Sequence, residues 1–387
     1  MILLTGPRQV GKTTLLRHID NKARSYITFD DLNHRIAAEQ DPAGFVERLK
    51  LPVLLDEVQY APSILPYIKM VVDNSKEKGL FWLTGSQQFE MMQGITESLA
   101  GRVAVIRLQG ISLAEEQERM DLPPFLPTPE IIKARQAVAQ PLSSMEIYHK
   151  IWRGGYPDVV SNDAKHWEQF YESYLATYIQ RDIRDSLNVT DPLLFHKFMQ
   201  ITAARTGQLV NYRDIAQLVG VSEPTVKSWL NILHASGIIY LLSPYFVNQT
   251  KRLIKTPKLY FMDTGLCAFL TGWLTPEVLE RGAMSGHILE TYVIAEIIKS
   301  YFNAGKAAKL YFYRDKEKRE IDLLIEENGT LYPIEIKKTS SLGNIHCDAF
   351  KVLGKLSQPI AKGCVICLAS AWLPINKYVD AVPLFYI

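Results

Sequence analysis

Cysteine is scarce, with four residues in a chain of 387. A small disulfide-stapled scaffold is therefore excluded. An excess of one charge is also missing: 43 Lys and Arg against 41 Asp and Glu leave a net charge of +2. That rules out a chain basic from end to end, but not a local basic face, because acids elsewhere can cancel one in the total. No apolar run approaches ~18 residues, so no transmembrane helix is expected. No basic stretch leads into an apolar run with a small-residue cleavage site. A signal peptide is therefore not expected, and the cytoplasm is the expected compartment. No internal repeat is visible. The remaining composition, 47% hydrophobic, 10% aromatic and 22% charged, is ordinary for a globular protein and excludes a fully disordered chain. At ~100–200 residues per domain the length suggests two to four domains.

Residues 1–118 alternate short apolar runs with helical patterns. Strands are expected at Met1–Thr5, Tyr26–Phe29, Val53–Leu55, Leu80–Thr84 and Val103–Leu108, with helices starting at Lys12, Pro42 and Ile64. This alternation predicts an α/β fold with a mostly parallel sheet. Prolines 123, 124, 127, 129 and 141 then crowd one stretch, so 119–145 reads as a linker or an irregular insertion. A helical, aromatic-rich segment follows from Glu146, with Trp167, Phe170, Tyr171, Tyr174 and Tyr178 expected in the core. Residues 193–247 pattern as three helices followed by a hairpin: Leu193–Thr206, Tyr212–Leu218 capped by Asn211, Glu223–Ala235 capped by Ser222, and a strand starting at Ile238–Leu242. This predicts a helix-turn-helix with a wing. Ser222, Glu223, Thr225, Lys227 and Ser228 are its candidate exposed contacts. Lys251, Arg252, Lys255 and Lys258 are a candidate phosphate-contacting stretch. The end of the chain reads as a helix over Gly286–Phe302, a strand at Lys309–Tyr313, a hairpin of Glu320–Glu326 and Leu331–Lys337 around Asn328-Gly329, a helix near Asp348–Leu356 and a strand at Gly363–Leu368. Cys364 and Cys367 fall in that strand. They read as core thiols rather than as a metal site with His346 and Cys347.

Gly6-Pro7-Arg8-Gln9-Val10-Gly11-Lys12-Thr13 matches G-x-x-x-x-G-K-[ST], between an apolar strand and a helical run that begins at Thr14. Successive N–H groups and a helix N-terminus in this setting attract polyphosphate. Lys12 would reach the β and γ phosphates, and Thr13 would hold Mg2+. Asp56 and Glu57 end the apolar run Val53–Leu55, at the carboxyl edge of the sheet. Asp56 would orient the Mg2+ shell, and Glu57 would activate water as general base. Thr84 or Ser86 is placed to sense the γ-phosphate. Arg102 is read as an arginine finger acting on a neighbouring subunit, as a sensor in its own subunit, or as a structural ion pair. In the first case a homo-oligomer is expected.

Asp322, Glu335 and Lys337 form a D…ExK pattern on the expected hairpin. Strand alternation points Glu335 and Lys337 the same way. Two acids and a lysine so arranged suit a metal-dependent nuclease, with Glu290 on the preceding helix as a third carboxylate. A retained nuclease fold without activity, or a solvated charged hairpin, is the alternative.

These stretches resemble a prokaryotic family of AAA-type P-loop ATPases with a C-terminal DUF4143 region. The matching segments are GPRQVGKTTLL (6–16), LLDEVQ (54–59), LTGSQ (83–87), SLAGR (98–102), GGYP (154–157), YIQRDI (178–183), PKLYFMDTGL (257–266), EIDLLI (320–325) and PIEIKK (333–338). The resemblance implies ATP binding, hydrolysis, and a C-terminal part containing a winged helix and a restriction-endonuclease-like fold. Such proteins usually carry residues before the first strand, so a truncated or misassigned start is expected here.

Four parts are thus expected: an AAA-type P-loop domain (1–118), the Pro-rich linker (119–145), a helical and winged-helix region (146–250) and a nuclease-like α/β domain (251–387). DUF4143 would span most of 146–387. The expected activity is Mg2+-dependent ATP hydrolysis coupled to the C-terminal module. The expected partners are ATP and either DNA or a protein, with no membrane. A nucleotide-gated binding switch with an inactive nuclease-like domain is the alternative, and a P-loop kinase is a third reading.

Overall fold

The computed structural model describes residues 1–85, 99, 101–119, 121–179, 191–246, 256–341, 343 and 348–387. They divide into two compact units, one of Met1–Gln109 with Leu230–Ile238, the other of Gly110–Trp229 with Ile239–Ile387. Among the described residues no helix is long and apolar enough to cross a membrane.

In the first unit, β1 (Ile2–Thr5), β2 (Ser25–Thr28), β3 (Val53–Asp56), β4 (Phe81–Gly85) and β5 (Ala104–Arg107) form one sheet in the order β2-β3-β4-β1-β5. Every neighbouring pair is parallel. The five strands lie where the apolar runs predict them. β3 and β4 are buried along their whole length, as continuous apolar runs must be in a sheet covered on both faces. Strand alternation splits the core in two. Leu3, Val53, Leu55, Phe81 and Leu83 join one cluster with Ile64 and Ile68, while Leu4, Leu54 and Trp82 join Leu16 in the other. The helices Lys12–Ile19, Pro42–Glu47 and Leu65–Asn74 agree with expectation. A further helix, Leu32–Gln40, begins where the Asp31 carboxylate caps the Asn33 N–H.

In the second unit the Pro-rich stretch differs from the linker expectation. It contains the helix Pro129–Val138, with Thr128 as cap and proline at its start, where a missing N–H leaves no bond unmade. Arg135, 1% exposed, donates to the carbonyls of Pro123 and Tyr386. Arg119 donates to those of Phe385 and Ile387. Composition reported the prolines but not these long-range partners. The helices Ser144–Arg153 and Trp167–Tyr178 follow, and Trp167, Tyr171, Tyr174 and Tyr178 are buried as expected.

Helices Pro192–Ala203, Tyr212–Val219 and Glu223–Ala235 accompany a three-stranded antiparallel sheet of order β6-β8-β7, whose short first strand falls between the first two helices. Its strands are β6 (Gln208–Leu209), β7 (Ile239–Leu242) and β8 (Lys258–Phe261). The Asn211 side chain caps the Asp214 N–H, and Gly220 closes the middle helix at φ 93. Beyond the long helix Ser285–Asn303 lie β9 (Leu310–Arg314), β10 (Glu320–Glu327), β11 (Thr330–Lys337), β12 (Gly363–Cys367), β13 (Leu373–Asn376) and β14 (Val379–Pro383). They form a mixed sheet of order β13-β14-β12-β11-β10-β9. Asn328 and Gly329 join β10 to β11 at φ 51 and 77, the left-handed pair that a two-residue hairpin turn requires. Residues Asp348–Lys355 form a 3-10 helix, where a helix is expected. Cys364 and Cys367 are free and buried in β12, whereas His346 and Cys347 lie outside the described residues.

Candidate nucleotide site and carboxylate cluster

The glycine loop leaves β1 and enters the helix Lys12–Ile19. Gly6, Gln9 and Gly11 adopt φ of 153, 60 and 85. A Cβ on Gly6 would lie 2.1 Å from the Leu108 carbonyl oxygen, so only glycine lets the loop pass β5. Pro7 and Val10 are buried, Arg8 is half-buried, and Gln9 and Thr14 are exposed. Lys12 is 6% exposed, and its ammonium donates to the carbonyls of Gly6 (3.0 Å) and Pro7 (2.7 Å). The cation thus sits inside the curl of the loop. Arg8 donates to the Tyr60 hydroxyl at 3.0 Å.

Strand order explains what meets the loop. β4 lies between β1 and β3, so Thr84 stands between the glycine loop and Asp56. The Thr13 hydroxyl donates to Asp56 Oδ1 at 2.7 Å, and the Thr84 hydroxyl also donates to Oδ1. The Tyr26 hydroxyl donates to Oδ2 at 2.8 Å. Thr84 is fully buried and accepts the Glu57 N–H at 3.1 Å. It therefore supports the acidic pair. Tyr26, from β2, is a residue that sequence reasoning missed. Burial, then its bond to Asp56, pushes the Tyr26 phenol above its usual pKa. The Arg17 guanidinium covers the Tyr26 ring at 3.9 Å. Glu57 adopts left-handed φ 57 just past β3, and Gln59 donates to its carboxylate. Arg102 pairs with Asp73 at a half-exposed position. Ser86 lies outside the described residues.

The second constellation gathers side chains from the second unit. Lys337 Nζ lies 2.6 Å from Glu335 Oε2 and 3.6 Å from Asp322 Oδ2. The Ile336 N–H donates to Asp322 Oδ2 at 2.8 Å. Glu290, from the long helix, accepts from Tyr260 Oη at 2.6 Å and Lys258 Nζ at 3.1 Å. Lys258 also pairs with Glu320 at 2.5 Å. Burial, then the charge of Asp322, pushes Glu290 and Glu335 each up to about 7. Glu335 Oε1 is buried without a hydrogen-bond partner. Among the described residues no group of three or more His, Cys, Asp or Glu is placed to hold a metal ion.

Lys258 corrects an expectation. It is 4% exposed and belongs to this cluster rather than to an open phosphate-contacting face. It opens a buried strand, and a lysine beside the apolar run Leu259–Phe261 signals an internal partner. Lys251, Arg252 and Lys255 lie outside the described residues. On the helix Glu223–Ala235, Ser222, Glu223, Lys227 and Ser228 are exposed and Thr225 is half-buried.

Three family models match: an AAA domain over residues 1–116, a domain of unknown function (DUF8612) over 145–277, and another (DUF4143) over 285–387. Uncharacterized proteins of Mycobacterium bovis and Mycobacterium tuberculosis are each 29% identical over 350 residues, covering 88% of this chain and 71% of theirs. A RuvB variant of Thermotoga maritima matches at 17% identity with a TM-score of 0.30, covering 62% of this chain and 81% of that one. A likeness at that score carries no argument about action. The chain therefore joins an AAA domain at residues 1–116 to a DUF4143 region at residues 285–387, the pairing that its motifs resemble.

Proposed function

We propose that the chain is an AAA-type ATPase whose Mg2+-dependent cycle drives or gates a C-terminal module acting on DNA. The observation that carries the ATPase half is the direct bond from Thr13 to Asp56 beside the buried Lys12. A hydroxyl and a carboxylate in contact next to an ammonium are the groups that a metal–triphosphate needs. Thr13 and Asp56 would hold Mg2+, which supplies charge that steadies the phosphates when bound. Lys12 is to exchange its two carbonyl partners for the β and γ phosphate oxygens. Gly6 to Thr14 would supply backbone N–H groups. Glu57 takes a proton from the attacking water, with Gln59 fixing its carboxylate. Ser86 is assigned to the γ-phosphate. Arg102 acts on a neighbouring subunit only if its pair with Asp73 opens, and the active form is then a homo-oligomer.

The domain reading assigns 1–118 to the ATPase, 119–145 to a connection, 146–250 to a helical and winged-helix region, and 251–387 to a nuclease-like domain. Three helices followed by the antiparallel pair β7 and β8, with β6 between the first two helices, support the winged helix. A long helix before a hairpin bearing Asp322, Glu335 and Lys337 supports the nuclease-like fold. A second reading has a specific observation in its favour. Lys258, a lysine outside the D…ExK pattern, holds Glu290 and Glu320, which favours a nucleotide-gated binding switch with an inactive nuclease-like domain.

ATP turnover by the purified chain tests the first half. Glu57→Gln is expected to bind ATP and hydrolyse it at least ~100-fold more slowly; unchanged turnover removes Glu57 as the base. Metal-dependent DNA cleavage, compared with Asp322→Ala, separates the two readings of the second half.

A further inference from the structure

The described atoms around Glu290, Asp322 and Glu335 show which cation this cluster already holds. Lys258 projects from β8, which is bonded on both sides, to β6 and to β7. Its ammonium lies within 3.1 Å of Glu290 and 2.5 Å of Glu320, and its side chain is 5% exposed. Lys337 takes Glu335 and Asp322 in the same way. We propose that Lys258 is a built-in counter-ion that keeps divalent metal out of this cluster. The inference rests on the second reading above, in which the nuclease-like domain does not cleave.

Hard divalent cations need about six oxygen ligands, several of them carboxylate, at ~2.0–2.6 Å. Here one oxygen each of Glu290, Asp322 and Glu335 already has a donor or an ammonium against it. Glu290 Oε1 accepts from both Lys258 and Tyr260. Asp322 Oδ2 accepts from the Ile336 N–H. Glu335 Oε2 faces Lys337, and its Oε1 is the buried oxygen without a donor. A metal would have to displace a buried ammonium and leave Glu320 without its partner on β8. Replacing Lys258 with an apolar chain of similar length leaves Glu290 and Glu320 without their shared ammonium, an excess of negative charge beside Asp322 that draws a divalent ion in.

Mn2+ titration of the nucleotide-free full chain, followed by calorimetry and thermal unfolding, tests this. Wild type is expected to show no Mn2+ binding that Asp322→Asn removes. Lys258→Met is expected to melt lower than wild type and to recover roughly 5 °C in millimolar Mn2+, a gain lost when Asp322→Asn is added. Asp322-dependent Mn2+ binding by wild type, or no Mn2+ response in a folded Lys258→Met, overturns the proposal. If Lys258→Met does not fold, the wild-type titration still decides, with Lys258→Arg as the charge-keeping control. Metal binding without DNA cleavage sinks this proposal and spares the switch reading. DNA cleavage that Asp322→Ala removes sinks the switch reading, and this proposal with it.

Discussion

Tyr26 holds one oxygen of Asp56 while Thr13 and Thr84 hold the other. A hydrogen bond to a charged group is worth about 1.5–3 kcal/mol, so Tyr26→Phe is expected to slow ATP turnover about tenfold and to raise the Mg2+ concentration needed. Steady-state hydrolysis over a Mg2+ series checks it. Lys12→Ala is expected to abolish binding of a fluorescent ATP analogue; retained affinity would overturn the loop assignment. Glu116 offers a stability test. It accepts from Lys150 at 2.6 Å and Arg153 at 2.7 Å. Burial raises its pKa, but these two cations outweigh burial and hold it below its usual 4.5. A depressed carboxylate stabilises the fold above its unfolded pKa, and this is lost as pH falls through the folded value. Glu116→Gln is therefore expected to cost about 3 kcal/mol at neutral pH and to flatten the acid side of the stability profile. Urea unfolding across about pH 3–7 reads both effects.

At the scale of elements, close approaches explain positions that motif spacing alone does not. Gly6→Ala would drive a methyl group into the Leu108 carbonyl, 2.1 Å away. The expected result is a lower melting temperature and at least ~10-fold weaker nucleotide binding, measured by circular dichroism and analogue fluorescence. The turn at Gly154-Gly155 has a comparable constraint. Asp263 accepts from the Gly155 N–H, the Tyr171 hydroxyl and the Leu266 N–H, and a Cβ on Gly154 would reach 2.2 Å from Tyr171 Oη. The GGYP and MDTG stretches, 108 residues apart at Gly155 and Asp263, are thus parts of one buried knot. The hairpin of β10 and β11 was legible because Asn-Gly states its own turn. The helix Pro129–Val138 was not, because crowded prolines hide a proline that merely starts a helix.

For the whole molecule, coupling is the property to measure. The ATPase rate is expected to rise severalfold when double-stranded DNA is added to wild type, and to stay flat for Glu57→Gln. No response to single- or double-stranded DNA would favour a protein partner. By itself the sequence determined the five-stranded α/β order of elements, the glycine loop, the acidic pair at the end of β3 and the hairpin carrying Asp322 and Glu335. All of these are local: a turn, a period or a motif states them within a few residues. Only the tertiary structure decided that Tyr26 and Thr84 support Asp56, that Arg119 and Arg135 bind carbonyls at the other end of the chain, and that Lys258 is an internal cation. Strand order and burial set those contacts. The charge of a lysine reads the same in sequence whether water or Glu290 surrounds it, and only the folded neighbours tell the two apart.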